Sequence, residues 1–208
     1  MISQSGSEAE NASALACDAH GTNQSLHPLL AGRWSPTRFD LEHEIAQDEI
    51  DVLLQAARWA PSAGNSQPWA FIVARRGTAV HRRLTGHLAG SSAVWAPSAS
   101  LLVANLSHRW VEDTDWEFSE FSVYDLGQAV AHMSIQAQAL GLHVRQFRAF
   151  DRDGIANEFA VPEHWEVTTL AAIGRAAPGS GRISASEDTS EPPVRARRAI
   201  DEILWPVA

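Results

Sequence analysis

Residues 33–40, Arg-Trp-Ser-Pro-Thr-Arg-Phe-Asp, hold two guanidiniums and two hydroxyls within six positions. A phosphate monoester is suited by that set. Arginine brings charge in a fork that matches phosphate oxygens, and Ser35 and Thr37 add neutral donors that fix orientation. The same residues also make an ordinary solvated turn with surface arginines. A second concentration of polar groups lies at residues 61–69, Pro-Ser-Ala-Gly-Asn-Ser-Gln-Pro-Trp. There Ser62, Asn65, Ser66 and Gln67 sit on a backbone kept thin by Ala63 and Gly64. Such a loop can lay amide donors and acceptors against the edge of a flat heterocycle; its plainer counterpart is a polar turn between a helix and a strand. A third group, Arg195, Arg197 and Arg198, precedes an apolar end of Ile200, Ile203, Leu204 and Trp205. On its own it reads as a basic face on an amphipathic tail.

Recognisable elements must position these groups. Asp48 and Glu49 open a helix whose apolar Ile50, Leu53, Leu54 and Ala57 follow helical spacing. Pro61 ends it, lacking an N–H and clashing with the preceding turn. Pro68 is expected to hold Gln67 extended, and residues 69–74 form a short apolar strand. Upstream, Leu26, Leu29 and Leu30 predict a short helix ending at Gly32, and the polar residues 1–25 read as a disordered leader. Downstream, residues 78–88 predict a helix with an exposed basic face of His81, Arg82, Arg83 and His87. The two histidines are six apart, out of phase for joint metal ligation. Residues 90–97 read as a loop and 100–106 as a second strand.

Residues 119–140 form the longest predicted helix. Leu126, Val130, Met133, Ala137 and Leu140 make one apolar stripe, and Gly141 supplies the stop. Gly127, Ala129, Ala131, Ala137 and Ala139 keep its flanks small enough for another backbone to approach. His132 is expected to be a hydrogen-bonded core residue. Trp110, Trp116 and Phe118 offer either an aromatic wall over a bound ring or a subunit contact. A short helix capped by Asp151 or Asp153, a strand at 167–173 and a linker at 178–193 complete the chain. Arg145 and Arg148 make residues 141–151 positive.

The chain has 208 residues, 45% hydrophobic and 20% charged, enough for one domain with a sizeable core. A formal charge of −9 argues against nucleic acid or an anionic membrane as partner. The single Cys17 excludes an intrachain disulfide and a cysteine-based zinc site. No apolar run approaches the roughly 20 residues of a membrane span, and the first residues lack the basic start and apolar stretch of a signal peptide. The cytoplasm is the expected location. HExxH, P-loop and GxGxxG patterns are all absent, so neither metalloprotease nor Rossmann chemistry is supported.

Residues 61–69 and 33–40, in this order and at this distance, resemble the FMN-dependent nitroreductase family, and the resemblance spans roughly residues 27–205. It implies an α+β fold with a mixed sheet of four or five strands flanked by helices, over one domain from residue 26 to 208. It also implies an obligate homodimer with FMN at the subunit interface. By resemblance, Arg33, Trp34, Ser35 and Thr37 take the flavin-phosphate positions. The family often has Lys or Arg where Thr37 stands, with the basic residue here displaced to Arg38. Pro61, Ser62, Ala63, Asn65 and Gln67 border the ring. Residues 141–151 become the strand and turn beside the flavin's reactive face, where a backbone N–H from Gln146, Phe147 or Arg148 serves flavin N5, and Arg195 and Arg197 return to the phosphate. The implied activity is ping-pong hydride transfer from NADH or NADPH through the flavin to a nitroaromatic, quinone or similar acceptor. No residue acts as an acid or base, and no metal is implied. The alternatives are a flavin-binding or sequestering relative without turnover, or other flavin chemistry such as dehalogenation.

Overall fold

Leu126, Val130, Met133 and Ala137 are all buried on one side of helix α5 (Ser122–Ala139), as their spacing predicts. A computed structural model describes residues 26–180 and 197–207 of the chain. The expected leader and most of the expected linker lie outside them. In order, the elements are α1 (Pro28–Gly32), α2 (Gln47–Arg58), β1 (Trp69–Arg75), α3 (Ala79–Thr85), α4 (Gly90–Ala93), β2 (Leu101–His108), α5, β3 (His143–Phe147), α6 (Arg152–Glu158) and β4 (Trp165–Gly174).

The four strands form one sheet in the order β1-β2-β4-β3. Its three pairings are antiparallel, so the α+β class holds but the expected mixed sheet does not. Helices α3 and α4 lie between β1 and β2, and α6 lies between β3 and β4. Each excursion returns the chain to the end of the sheet it left, so the next strand runs back. Two apolar layers cover the sheet. On one face Leu101, Val103, Val144, Ala171 and Ile173 meet Leu53 and Ala57 of α2 and Met133 of α5. On the other, Leu102, Ala104, Leu170 and Ala172 meet Leu84 of α3 and Ile155 of α6. Each fully buried Val, Leu, Ile or Met side chain among them contributes about 1.5–3 kcal/mol.

Local chemistry sets the helix ends. Glu49 accepts the Ala46 N–H at 2.8 Å, so α2 begins ahead of Asp48. Asp151, not Asp153, caps α6 by accepting the Gly154 N–H at 3.0 Å. Residues 90–97 contain helical turns rather than the expected open loop, with α4 followed by a 3-10 turn at Ala96–Ser98. α5 starts at Ser122, three residues later than predicted, and is about 27 Å long. His132 is exposed rather than buried, because it faces away from the sheet. His81 is buried in α3, leaving Arg82 and Arg83 as the exposed basic face.

Arg76, just after β1, ties three segments together through main-chain carbonyls. One of its guanidinium nitrogens donates to Ser98 O at 2.7 Å and Asp40 O at 3.4 Å; the other donates to Leu41 O at 2.8 Å and His43 O at 2.7 Å.

Four histidines respond to burial. The imidazole pKa values of His43, His81, His108 and His143 are all held below the usual value, chiefly by loss of water around the charged form. Nearby Arg175 adds to the effect at His43, Arg76 at His81 and His164 at His108. Below about pH 6.5 the unfolded chain therefore binds protons that the folded chain refuses. Stability is full above that pH and falls as the pH drops toward the lowered folded values. Urea midpoints measured from pH 7.5 to 5 are expected to decline steadily below pH 6.5; a flat profile would show that these four rings titrate normally.

Candidate functional site

The Arg33–Thr37 stretch is fastened to the outer edge of the sheet. Trp34 packs edge-on against His143 at the start of β3, with ring centroids 4.8 Å apart. Arg145 of β3 donates to Pro36 O at 3.2 Å while its guanidinium lies 4.3 Å over the Trp95 ring. A cation held this way against an aromatic face gains roughly 0.5–2 kcal/mol, so Arg145 has a packing role beneath the stretch. Preceding the stretch, α1 packs on α5, and Gly32 runs so close to Gln138 that a Cβ there would lie 3.4 Å from its Nε2. Arg33 donates to the Ser35 hydroxyl at 3.5 Å.

Beyond Ser35 the chain is zipped to the segment that follows β4. Thr37 donates from both its N–H and its hydroxyl to Ser180 O, at 3.3 and 3.0 Å. Ala177 N–H donates to Arg38 O and Asp40 N–H to Arg175 O. The Thr37 hydroxyl proton is thus already committed to a carbonyl. Displaced Arg38 is exposed beside Gly179, with a guanidinium nitrogen 4.0 Å from where a Cβ would stand. The result is a fixed shelf carrying Arg33 and Ser35, laid along β3. Because β3 is an edge strand, alternate amides of its residues point away from β4. Gln146 and Arg148 at its end are exposed, Phe147 is half-buried, and Arg148 lies 5.3 Å over Phe150.

The 61–67 loop is more wound than the sequence suggests. Ala63–Asn65 forms a 3-10 turn, and Gly64, Asn65 and Gln67 have φ of 58°, 55° and 49°. The expectation that Pro68 holds Gln67 extended is overturned. Gln67 N–H donates to the Ser62 hydroxyl oxygen at 3.0 Å and Trp69 N–H donates to Gln67 O at 2.8 Å, which together hold the left-handed backbone. Such a conformation in a non-glycine residue costs about 1–3 kcal/mol and persists where the surroundings fix it. The Gln67 amide donates to the Asn65 side chain at 3.3 Å. Ala63 N–H donates inward to Asp125 at 2.9 Å. No pattern in the sequence marked Asp125; its position in the first turn of α5, on the side that meets the sheet, was the available hint.

The shelf and the loop meet opposite ends of α5. Asp125 holds the loop, Gln138 lies against the shelf, and 13 residues (138 − 125), roughly 20 Å of helix, separate them. Arg33–Thr37 and the first residues of β3 make one neighbourhood, through Trp34 on His143 and Arg145 on Pro36 O, and Gln146–Arg148 continue the same strand. Pro61, Ser62, Ala63, Asn65 and Gln67 make another. Arg197 is exposed near the described C-terminal residues, and Arg195 lies outside the described residues.

Of the expected aromatic wall, Phe118 stacks on His108 at 3.8 Å and Trp110 lies under Arg109, whereas Trp116 is 76% exposed. Residues 110–115 with Pro162, Glu163 and His164 line an open groove of about 720 Å³ rich in carboxylates. Among the described residues no cluster of His, Cys, Asp or Glu could hold a metal, and no helix is long and apolar enough to cross a membrane.

Residues 30–104 match the Nitroreductase family. A Methanothermobacter thermautotrophicus protein whose name pairs NADH dehydrogenase with NAD(P)H nitroreductase is 28% identical over 144 residues, 67% of this chain and 72% of its own. A segment of 59 residues, 27% of each chain, is 37% identical to the major NAD(P)H-flavin oxidoreductase of Aliivibrio fischeri. Among solved structures, an oxidoreductase containing FMN superposes with a TM-score of 0.69 at 28% identity, over 75% of this chain and 79% of that one. A nitroreductase family protein of Clostridium difficile shares the fold, with a TM-score of 0.65 at 22% identity over 85% and 95%. Residues 30–104 thus resemble the nitroreductase family, and the fold of the chain is that of these solved structures.

Proposed function

We propose that the chain is an FMN-dependent NAD(P)H oxidoreductase that works as a homodimer by ping-pong exchange on nitroaromatic, quinone or similar acceptors. A solved fold neighbour is described as containing FMN, and the relatives' names carry NAD(P)H. The observation that carries the reading is the shelf itself: Arg33 and Ser35, neighbours at 3.5 Å, are held beside an edge strand by Trp34 on His143 and Arg145 on Pro36 O.

The donor set fits a flavin mononucleotide. Arg33 and Ser35 hold the phosphate, with Arg197 and Arg195 joining from the C-terminal segment. Trp34 serves as a wedge against His143 and Thr37 as the anchor to Ser180, so both act by fixing the shelf. Pro61, Ser62, Asn65 and Gln67 border the ring, with Ala63 holding the turn. Gln146, Phe147 and Arg148 offer main-chain donors. When bound, FMN supplies the redox chemistry by accepting hydride from NAD(P)H and passing electrons to the acceptor. The chain contributes binding, orientation and an open face. His143 stays neutral at pH 7 because burial lowers its pKa, so it adds no charge beneath the shelf.

A second copy completes the site in this reading. One subunit's loop and shelf lie at opposite ends of α5, so the ring above one shelf is bordered by the partner's loop. Phe121, Tyr124, Gly127 and Ala131 are exposed on one side of α5 at three- and four-residue steps, a face of the kind a second copy covers. A cytoplasmic location belongs to the same proposal.

The test is an anaerobic titration of purified protein with NADH and with NADPH. Yellow protein that bleaches with either and regains colour on adding a quinone supports the reading. Yellow protein that never bleaches points instead to flavin storage, and protein that takes up no FMN ends both.

A further inference from the structure

Asp125 is the only carboxylate or guanidinium buried among the described residues, at 2% exposure. No ion pair among them includes it. A buried charge is costly unless it is fully hydrogen-bonded. One carboxylate oxygen accepts the Ala63 N–H at 2.9 Å, the other accepts the Gln128 amide at 3.2 Å, and the first turn of α5 adds its favourable dipole. A carboxylate oxygen only accepts, so it holds the Ala63 N–H inward.

The rest of the turn follows from that bond. Asn65 N–H donates to Ser62 O at 3.0 Å, Ser66 N–H to Ala63 O at 3.1 Å, and Gln67 N–H to the Ser62 hydroxyl oxygen at 3.0 Å. The main-chain donors of residues 65, 66 and 67 are consumed inside the loop, and that of residue 63 by Asp125. The Ser62 oxygen accepts, so its own proton is available to a ligand. The Asn65 side-chain oxygen also accepts, from Gln67, which leaves the Asn65 NH₂ available. The loop thus offers two side-chain donors. The pyrimidine end of a flavin presents mostly acceptors, two carbonyl oxygens and a ring nitrogen.

We propose that Asp125 is the positioning residue of the ring-binding loop: by holding the Ala63 N–H inward it turns the Ser62 hydroxyl and Asn65 amide into donors for the acceptor edge of the flavin. The proposal rests on the flavin reading above and extends it to a residue that touches no cofactor.

Binding of FMN and of riboflavin, which lacks the phosphate, separates ring effects from phosphate effects. Asp125→Ala is expected to weaken both by the same factor, about tenfold, and to shift the visible band of bound flavin while the protein stays folded and keeps its oligomeric state. Asp125→Asn keeps an oxygen for Ala63 N–H and is expected to bind both flavins within about threefold of wild type, since it loses no bond in the loop. If Asp125→Ala does not fold, Ala63→Pro carries the test. It deletes the donor at the first position of the turn, where proline is tolerated, behind an extended Ser62 that suits it; the same equal weakening and band shift are expected. Variants that bind both flavins like wild type, or that lose FMN alone, or an Asp125→Asn as impaired as Asp125→Ala, overturn the proposal. Wild-type protein that binds neither flavin overturns the underlying reading as well.

Discussion

Arg33→Ala is expected to purify folded but nearly colourless, with its FMN dissociation constant raised roughly 30- to 150-fold. A guanidinium on a phosphate makes charge-assisted hydrogen bonds, and losing them costs about 2–3 kcal/mol. The rest of the shelf does not depend on this side chain. Trp34 still packs on His143, Pro36 O still accepts from Arg145, and Thr37 still donates to Ser180. Fold and oligomeric state should therefore survive. Riboflavin supplies the control: it should bind Arg33→Ala and wild type alike. Equal loss of riboflavin would mean that the substitution damaged the protein rather than its phosphate contact. Raising salt should mimic the substitution in part, because a partly exposed ion contact is screened.

Arg76→Ala is expected to cost about 3 kcal/mol of stability and lower the melting temperature by roughly 6–12 °C. One guanidinium satisfies carbonyls of Asp40, Leu41, His43 and Ser98, and truncation leaves them to find water or go without. Some can be hydrated, since part of this cluster faces solvent, which keeps the cost below a plain sum. Arg76→Lys is expected to recover less than half. A single ammonium cannot span four acceptors that a planar fork reaches together. Removing a positive neighbour should also relieve some of the depression of the His81 pKa. A melting temperature within 2 °C of wild type for Arg76→Ala would show that these bonds contribute little.

Arg33 and Arg76 illustrate what the sequence makes legible. Arg33 stands among hydroxyls in a motif whose chemistry can be read in the line of the chain. Arg76 follows an ordinary strand, and its partners are main-chain oxygens of two other segments, which carry no residue-type signature. Asp125 was hidden for the same reason, because its principal partner is the N–H of an alanine. Helix α5 was plain, since four buried aliphatics repeat along it. The direction of the strands was not. Periodicity shows that a segment is a strand with a buried face, but pairing depends on which end of the sheet each helical excursion returns to. Gln67 failed for a subtler cause. The bias that proline imposes on the preceding residue is a preference, and two hydrogen bonds in the loop override it.

The zipper between residues 37–40 and 175–180 has a consequence for how the protein is made. Thr37 and Ser180 are 143 positions apart, so the earlier segment waits for the later one before it can be seated. At about 5–20 residues per second, that delay is roughly 7–30 s for every copy synthesised. During this interval a nascent chain carries Arg33 without the Ser180 carbonyl that seats the stretch behind it.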